Sequence, residues 1–213
     1  MQVDFIFQIA ILIMSVVIHE VSHGYAASIL GDQTARYQGR LTLNPVKHLD
    51  PVGSFLVPAI SYFLGGFIFG WAKPVPYNPY NLKPGRWSEA WVAAAGPASN
   101  LSIALIFGLL LRFSTTALGT VSWANPAFIQ ITALVVFVNI LLAIFNLMPI
   151  PPLDGSKLLF AFFPSKLYQM RAFFEKYGLI LVLFFIFFLW QFIFPVILWL
   201  FHLITGVAIW GYF

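Results

Sequence analysis

Three stretches of this 213-residue chain hold no charged side chain at all: LSIALIFGLLL (101–111), ITALVVFVNILLAIF (131–145) and LILVLFFIFFLWQFIF (179–194). With their flanks they approach the roughly 20 residues that a helix needs to cross a bilayer core. Only 8% of all residues are charged, against about 25% in an ordinary soluble domain. The fold class that follows is an all-α polytopic membrane protein in contact with the lipid bilayer. The net charge of +4 is then no nucleic-acid signal, because membrane proteins collect Lys and Arg in cytoplasmic loops. There is no cysteine, so disulfides and thiolate metal sites are excluded. The N-terminal MQVD lacks a basic region and no A-x-A site follows, so the first helix is expected to stay as an anchor. No repeat or low-complexity linker divides the chain, which reads as a single membrane-embedded domain, 1–213.

The first helix is expected over about 5–30, stopped by Gly31-Asp32. Residues 31–51 are polar, and RYQGRLTLNP alternates enough to suggest a short β-hairpin. Residues 52–71 are apolar but broken by Pro58 and Gly65-Gly66, and a Pro- and Gly-rich loop follows over 72–87. Further helices are expected over about 88–112 and 127–147, and residues 178–213 are apolar again, with Pro195 near their centre. The last segment reads either as two short spans broken at Pro195 or as one helix and a tail. In all, about five to six transmembrane helices are expected.

The basic residues orient these spans. Arg36, Arg40 and Lys47 fall in the first loop, Lys73, Lys83 and Arg86 in the second, and Lys157, Lys166, Arg171 and Lys176 after the 127–147 helix. Only Arg112 lies beside the uncharged loop 113–126. If the three basic loops are all cytoplasmic, segment 52–71 begins and ends on one side. It then forms a re-entrant or β-hairpin element between the first helix and the helix containing AGPASN. Irregular backbone at membrane depth is tolerated where protein or a wet cavity covers it. The other arrangement is a true span with the K-P-V-P loop outside.

The greasy first helix carries a polar interruption, His19-Glu20-Val21-Ser22-His23. On a helix, residues i and i+4 share a face about 6 Å apart along the axis. Two imidazoles so placed can grip one Zn²⁺, and Glu20 beside them can take a proton from a water activated there. The helix continues for another turn and more, which sets the motif about 10 Å inside its end. Ionisable groups at such depth are costly and mark function. Zinc needs a third protein ligand. Among Asp4, Asp32, Asp50, Glu89, Asp154, Glu175, His48 and His202, Asp154 stands out. It follows the 127–147 helix in FNLMPIPPLDGSKLL (145–159), where Pro149, Pro151 and Pro152 prevent regular helix. Taken alone, Asp154 reads as a helix N-cap; beside H-E-x-x-H it reads as the ligand.

HEVSHG (19–24), AGPASN (95–100) and NLMPIPPLDG (146–155), with GRLTLNPVKHLDP (39–51) and FGWAKPVP (69–76), resemble the site-2 protease family of intramembrane metalloproteases. The likeness runs from about residue 15 to 160. It implies one zinc per chain, held by His19, His23 and Asp154, with Glu20 as general base. It implies hydrolysis of transmembrane segments of membrane-protein substrates. The catalytic core would be about 5–160, with C-terminal hydrophobic helices over about 178–213. Such a chain would be a minimal form without PDZ or CBS domain, and a separate partner could present its substrates. It would sit in the cell membrane with its active site toward the cytoplasm. At other family positions, Asn146 is a candidate oxyanion donor, and Asn100 a candidate substrate-binding or helix-bridging amide. Gly96 and Pro97 are expected to allow close helix approach. Asn44, Trp71 and Lys73 would border the cavity.

Two rival classes use the same residues. A metal transporter or sensor needs a polar path through both leaflets, and the outer halves of the 88–112 and 127–147 helices carry few polar groups. A membrane protease of the prenyl-protein endopeptidase kind needs a downstream Glu ligand, and only Glu89 and Glu175, each near a loop edge, are at hand.

Overall fold

Each charge-free run lies within a helix in a computed structural model, which describes residues 5–57, 60, 63, 72–116, 126–163 and 168–207. Helix α1 spans Phe5–Ile29 and the four-residue α2 spans Thr34–Tyr37. The long α3 covers Ser88–Thr116 and α4 covers Pro126–Asn146, starting with a proline whose missing N–H costs nothing at a first helical position. The short α5 covers Asp154–Phe162. Helix α6, Tyr168–Phe184, runs through a π-helical turn at Phe185–Leu189 into α7, Trp190–Thr205. Gly206, at φ +76°, ends α7 in the left-handed conformation that suits glycine, its N–H donating to the His202 carbonyl at 2.8 Å.

Four helices among the described residues are long and apolar enough to cross a membrane: Phe7–Ile29, Ser88–Ser114, Pro126–Asn146 and Lys176–Thr205. Large side chains such as Ile106, Phe187, Phe192 and Trp199 are exposed on them, as lipid-facing surfaces require. The chain is therefore an all-helical membrane protein. Helix α3 is central, packing against α1, α4, α5 and α7. Where α3, α4 and α7 meet, Ala104, Leu111, Ala133, Val136, Ile140, Ile197 and Phe201 form a wholly apolar core.

One expectation changes and one choice is decided. Four candidate spans occur among the described residues, which leave out most of 52–71. Residues 168–205 form one continuous helical run, as in the one-helix reading of the last segment. Pro195 lies inside that run, since proline is tolerated in an apolar helix whose neighbours can make good the lost bond. Residues 36–45 form no hairpin, and no strand occurs among the described residues. Thr34–Tyr37 is helical instead, and Gly39 turns the chain at φ +61°. The alternating pattern misled because Arg40 is buried for polar reasons, bonding to another segment. The re-entrant element expected over 52–71 lies outside the described residues, apart from a π-helical turn at Val52–Leu56 and residues 57, 60 and 63. Trp71 is likewise outside them.

The Pro- and Gly-rich loop forms a strap. Residues 72–78 cross the C-terminal part of α1 in extended form, a 3₁₀ turn follows at Pro79–Asn81, and the segment is tied down along its length. Arg40 Nη2 donates to the Lys73 and Pro74 carbonyls at 2.8 and 3.3 Å, and the Lys73 N–H donates to the His48 carbonyl at 2.8 Å. Val75 is buried against Gly24, where a Cβ would stand 2.7 Å from its Cγ1. Beyond it, fully buried Asp32 accepts from Asn78 N–H at 2.8 Å and Asn81 Nδ2 at 3.0 Å. The same carboxylate accepts from the Thr34 N–H and hydroxyl.

Burial opposes the charge on Asp32, yet hydrogen bonds from Thr34, Asn81 and Asn78 outweigh it and hold its pKa below the ordinary carboxylate value. The folded value being the lower one, the resulting stabilisation is complete above the unfolded pKa of about 3.9 and is lost as pH falls through the folded one. In Asp32→Asn an NH₂ group meets donors that the carboxylate accepted. That variant should be destabilised at neutral pH by about 1–3 kcal/mol, and the gap to wild type should close toward acid pH. Thermal unfolding of both proteins across that pH range checks both parts.

Candidate active site

The site grows from one stripe of α1 laid along one stripe of α3. Ser15, His19 and His23 recur every four residues on α1, and Val92, Gly96 and Asn100 do so on α3, so each set lines one helix face. The two stripes run in opposite directions and meet residue by residue. His23 Nδ1–H donates to the Val92 carbonyl at 2.7 Å. His19 Nδ1–H donates to Asn100 Oδ1 at 2.6 Å. Between them, Gly96 leaves room for both rings: a Cβ there would stand 2.6 Å from His19 Cε1 and Nε2 and would collide with His23 Nε2. Gly96 is thus a close-approach residue, as expected.

Asp154 arrives from the other end of the sequence. It is the first residue of α5, whose N-cap is Leu153, so its carboxylate does not cap the helix. Gly155 follows because a Cβ there would collide with the Leu147 carbonyl, and only glycine lets the proline-rich turn fold back so tightly. Asp154 Oδ2 lies 3.2 Å from His19 Nε2 and 3.0 Å from His23 Nε2, while the two Nε2 atoms are 3.0 Å apart. Its Oδ1 points elsewhere, 3.7 Å from Lys157 Nζ. All three side chains are buried.

The protons decide what this triangle is for. Both Nδ1 atoms face oxygen acceptors, so each neutral ring carries its proton there and presents a lone pair at Nε2. Two nitrogen lone pairs and a carboxylate oxygen then converge with no donor among them, an arrangement that a cation satisfies. A tetrahedral zinc ion with ligand bonds of about 2.1 Å needs donor atoms about 3.4 Å apart, close to the observed edges. Among the described residues, His19, His23 and Asp154 are the one group of this kind able to hold a metal ion.

Glu20 points off the histidine face toward the strap. Its Oε2 accepts the Val75 N–H at 2.9 Å. Asn100 is fully buried with its amide engaged at both ends, Nδ2 donating to Asn139 Oδ1 at 2.7 Å and to the Ser15 carbonyl at 3.3 Å. Asn146 closes α4, with Nδ2 donating to its own helix at the Leu142 carbonyl, 2.9 Å away. Asn44 caps the 3₁₀ turn Pro45–His48, and Lys73 belongs to the strap. Glu89 lines a cleft with Tyr77 and Lys157 rather than joining the histidines. Sequence reasoning passed over Asn139, although a single amide in a charge-free membrane run is itself a signal. The Val92 carbonyl and the Val75 N–H carry no side-chain signature and could not be read.

Comparison with known proteins agrees with this chemistry. The profile of peptidase family M50 matches residues 113–189. Over 173 residues the chain is 39% identical to "Putative zinc metalloprotease YwhC" of Bacillus subtilis, covering 81% of this chain and 76% of that protein. It is 31% identical over 209 residues to "Putative zinc metalloprotease Rip2" of Mycobacterium tuberculosis, with 96% and 76% covered. The Rip2 of Mycolicibacterium smegmatis is 37% identical over 155 residues, with 71% and 55% covered. No solved structure matches. The chain is a zinc-dependent membrane metalloprotease. It belongs to peptidase family M50, the site-2 protease family.

Gly96→Ala tests the packing of the two stripes. The added methyl must displace the histidine rings or part α1 from α3, so purified Gly96→Ala should hold well under one zinc per chain while wild type holds one. Metal analysis with circular dichroism on the same samples checks this.

Proposed function

We propose that this protease cleaves peptide bonds within the membrane-spanning segments of other membrane proteins, from a site near the cytoplasmic face of the cell membrane. One observation carries the reading: the two histidines of the acceptor triad are buried on a helix that is itself long and apolar enough to span, with ten residues of α1 still to come after His19. Ordinary soluble substrates would not reach that depth. The basic loops around Arg36, Lys83 and Lys157 favour a cytoplasmic position for the nearby end of the bundle.

In this reading His19, His23 and Asp154 hold zinc, which when bound supplies the Lewis acidity that peptide hydrolysis needs. Both imidazoles are kept as lone-pair donors by Asn100 and the Val92 carbonyl. Lys157 draws the second oxygen of Asp154 aside, leaving Oδ2 to the ligand set. Glu20 is the general base. It takes a proton from water and returns it to the departing amine, while the Val75 N–H fixes the orientation of its carboxylate. Asn146 is the candidate oxyanion donor, its NH₂ able to exchange a carbonyl of its own helix for the developing charge. We assign Asn100 to His19 instead, since both ends of its amide are engaged.

The substrate must leave its helix before its amides can be attacked. A cleft of about 750 Å³ beside the site, lined by Tyr77, Pro79, Pro151, Pro152, Lys157 and Phe160, suits the unwound segment. Lys157 joins cleft and site, since it also approaches Asp154. The strap offers an extended edge along which a peptide could pair. The catalytic core is then about residues 5–160, with the C-terminal helical run as membrane support, and a separate partner can deliver substrates. Transport is disfavoured by the wholly apolar core that α3, α4 and α7 form.

Two substitutions test the roles. Gln at position 20 still accepts the Val75 N–H but takes no proton. Glu20→Gln should therefore keep zinc and fold while losing cleavage of a model transmembrane substrate in proteoliposomes. The wild-type cut, mapped by mass spectrometry, should fall inside the membrane segment; a cut confined to the flanks would overturn the intramembrane reading. Asp154→Asn leaves the size of the side chain unchanged but removes the anionic ligand. It should lose zinc and proteolysis with helicity intact, whereas stoichiometric zinc in that variant would remove Asp154 from the site.

A further inference from the structure

Asn139 sits in the middle of the apolar run of α4, with no exposed surface and no part in the chemistry described so far. An amide there is costly unless every polar atom is paired, and its pairings have a direction. Nδ2 donates to the Val135 carbonyl at 2.9 Å, one turn back on the same helix. It also donates to Ser15 Oγ on α1 at 2.9 Å. A backbone carbonyl accepts and never donates, so the Val135 oxygen decides which end of the amide is NH₂. Asn139 Oδ1 must then face the other way, where it accepts from Asn100 Nδ2 at 2.7 Å. That in turn compels Asn100 to present Oδ1 to His19, and Oδ1 can only accept. The proton of the neutral His19 ring is thereby placed on Nδ1, and Nε2 is left with its lone pair.

We propose that Asn139 is a positioning residue for the metal site: through Asn100 it fixes the His19 tautomer that can bind zinc. The chain of polarity starts at a main-chain oxygen that cannot reverse and crosses three helices. A flipped Asn100 would offer NH₂ to Nδ1, move the ring proton to Nε2 and close that nitrogen to a metal. The Ser15 carbonyl, at 3.3 Å from Asn100 Nδ2, is too long a contact to hold the amide as firmly. The inference rests on His19 being a zinc ligand, and it is read by metal affinity and ring tautomer. Neither requires proteolysis, so a failure of the protease reading leaves the test intact.

The test uses the full chain, stripped of metal and titrated with zinc against a chelator of known affinity. Asn139→Leu should weaken zinc by about 10–100-fold, the usual range for loss of an outer-shell partner, with helicity unchanged. Asn100→Leu should do the same, and the double variant should bind no more weakly than Asn100→Leu alone, because Asn139 acts only through Asn100. Nitrogen-15 spectra of the metal-free histidines should show His19 as a single Nδ1–H tautomer in wild type and a mixture in Asn139→Leu. Asn139→Thr can donate its hydroxyl to the Val135 carbonyl and still accept from Asn100. It should lie nearer wild type in both readouts, and it serves if the leucine variant does not fold. Wild-type zinc affinity in Asn139→Leu, losses that add in the double variant, or an unmixed tautomer would each overturn the proposal.

Discussion

The contact between the histidine stripe of α1 and the acceptor stripe of α3 is the interaction on which the rest of the structure depends. Each imidazole is buried, so an unpaired ring nitrogen would cost about 1–3 kcal/mol. Each finds its acceptor on α3, one a side-chain oxygen and one a helix carbonyl. Neither bond can form unless the two axes come close, and Gly96 is what permits that. The need to pair two protons thus sets the spacing of two membrane helices. With Nδ1 paired, the lone pairs at Nε2 have one direction left, toward Asp154. Lipid offers no competing hydrogen bonds, so an arrangement this polar persists only when each donor has its acceptor.

The strap answers a second constraint. Glu20 projects from α1 away from the histidines and would otherwise face apolar surroundings at the same depth. The Val75 N–H gives its carboxylate a fixed partner. That N–H is in place because Arg40, His48 and Asp32 tie the strap on either side of residue 75. In the proposed reading the position of the general base is set by a backbone group, and that group is held from outside the spans by the buried Arg40 and Asp32 side chains and the His48 carbonyl. Loss of the Asp32 tie would therefore loosen Val75 without touching any residue of the site.

Much of this was legible in the sequence, and the limit has a physical shape. The H-E-x-x-H face follows from helical periodicity alone, since i and i+4 are neighbours on any helix. Asp154 could be singled out because few acids exist in the chain and the prolines before it rule out an ordinary helix. What could not be read is long-range and main-chain. Arg40 looks like one more loop cation, yet its guanidinium holds carbonyls more than thirty residues away. Alternation over 36–45 suggested a hairpin because pattern records which residues turn inward but not what they meet there. Pro195 left the last segment open between two short spans and one helix, because propensity describes an isolated helix and ignores its apolar setting. Asn139 lies between these cases: its cost was visible, while its direction required the coordinates of three helices.

The proposed ligand set is divided unequally between these supports. His19 and His23 stand on one helix and are held by α3 whether or not a cation is present. Asp154 lies 135 residues from His19, on a short helix, and beyond the two imidazoles its carboxylate meets only Lys157 among the described ion pairs. The two Nε2 atoms and Oδ2 form a triangle about 3 Å on edge, so in the proposed reading a bound cation would join the histidine pair of α1 to α5 and couple metal binding to that tertiary contact. Lys157, Pro151 and Pro152 line the cleft on the α5 side of the triangle.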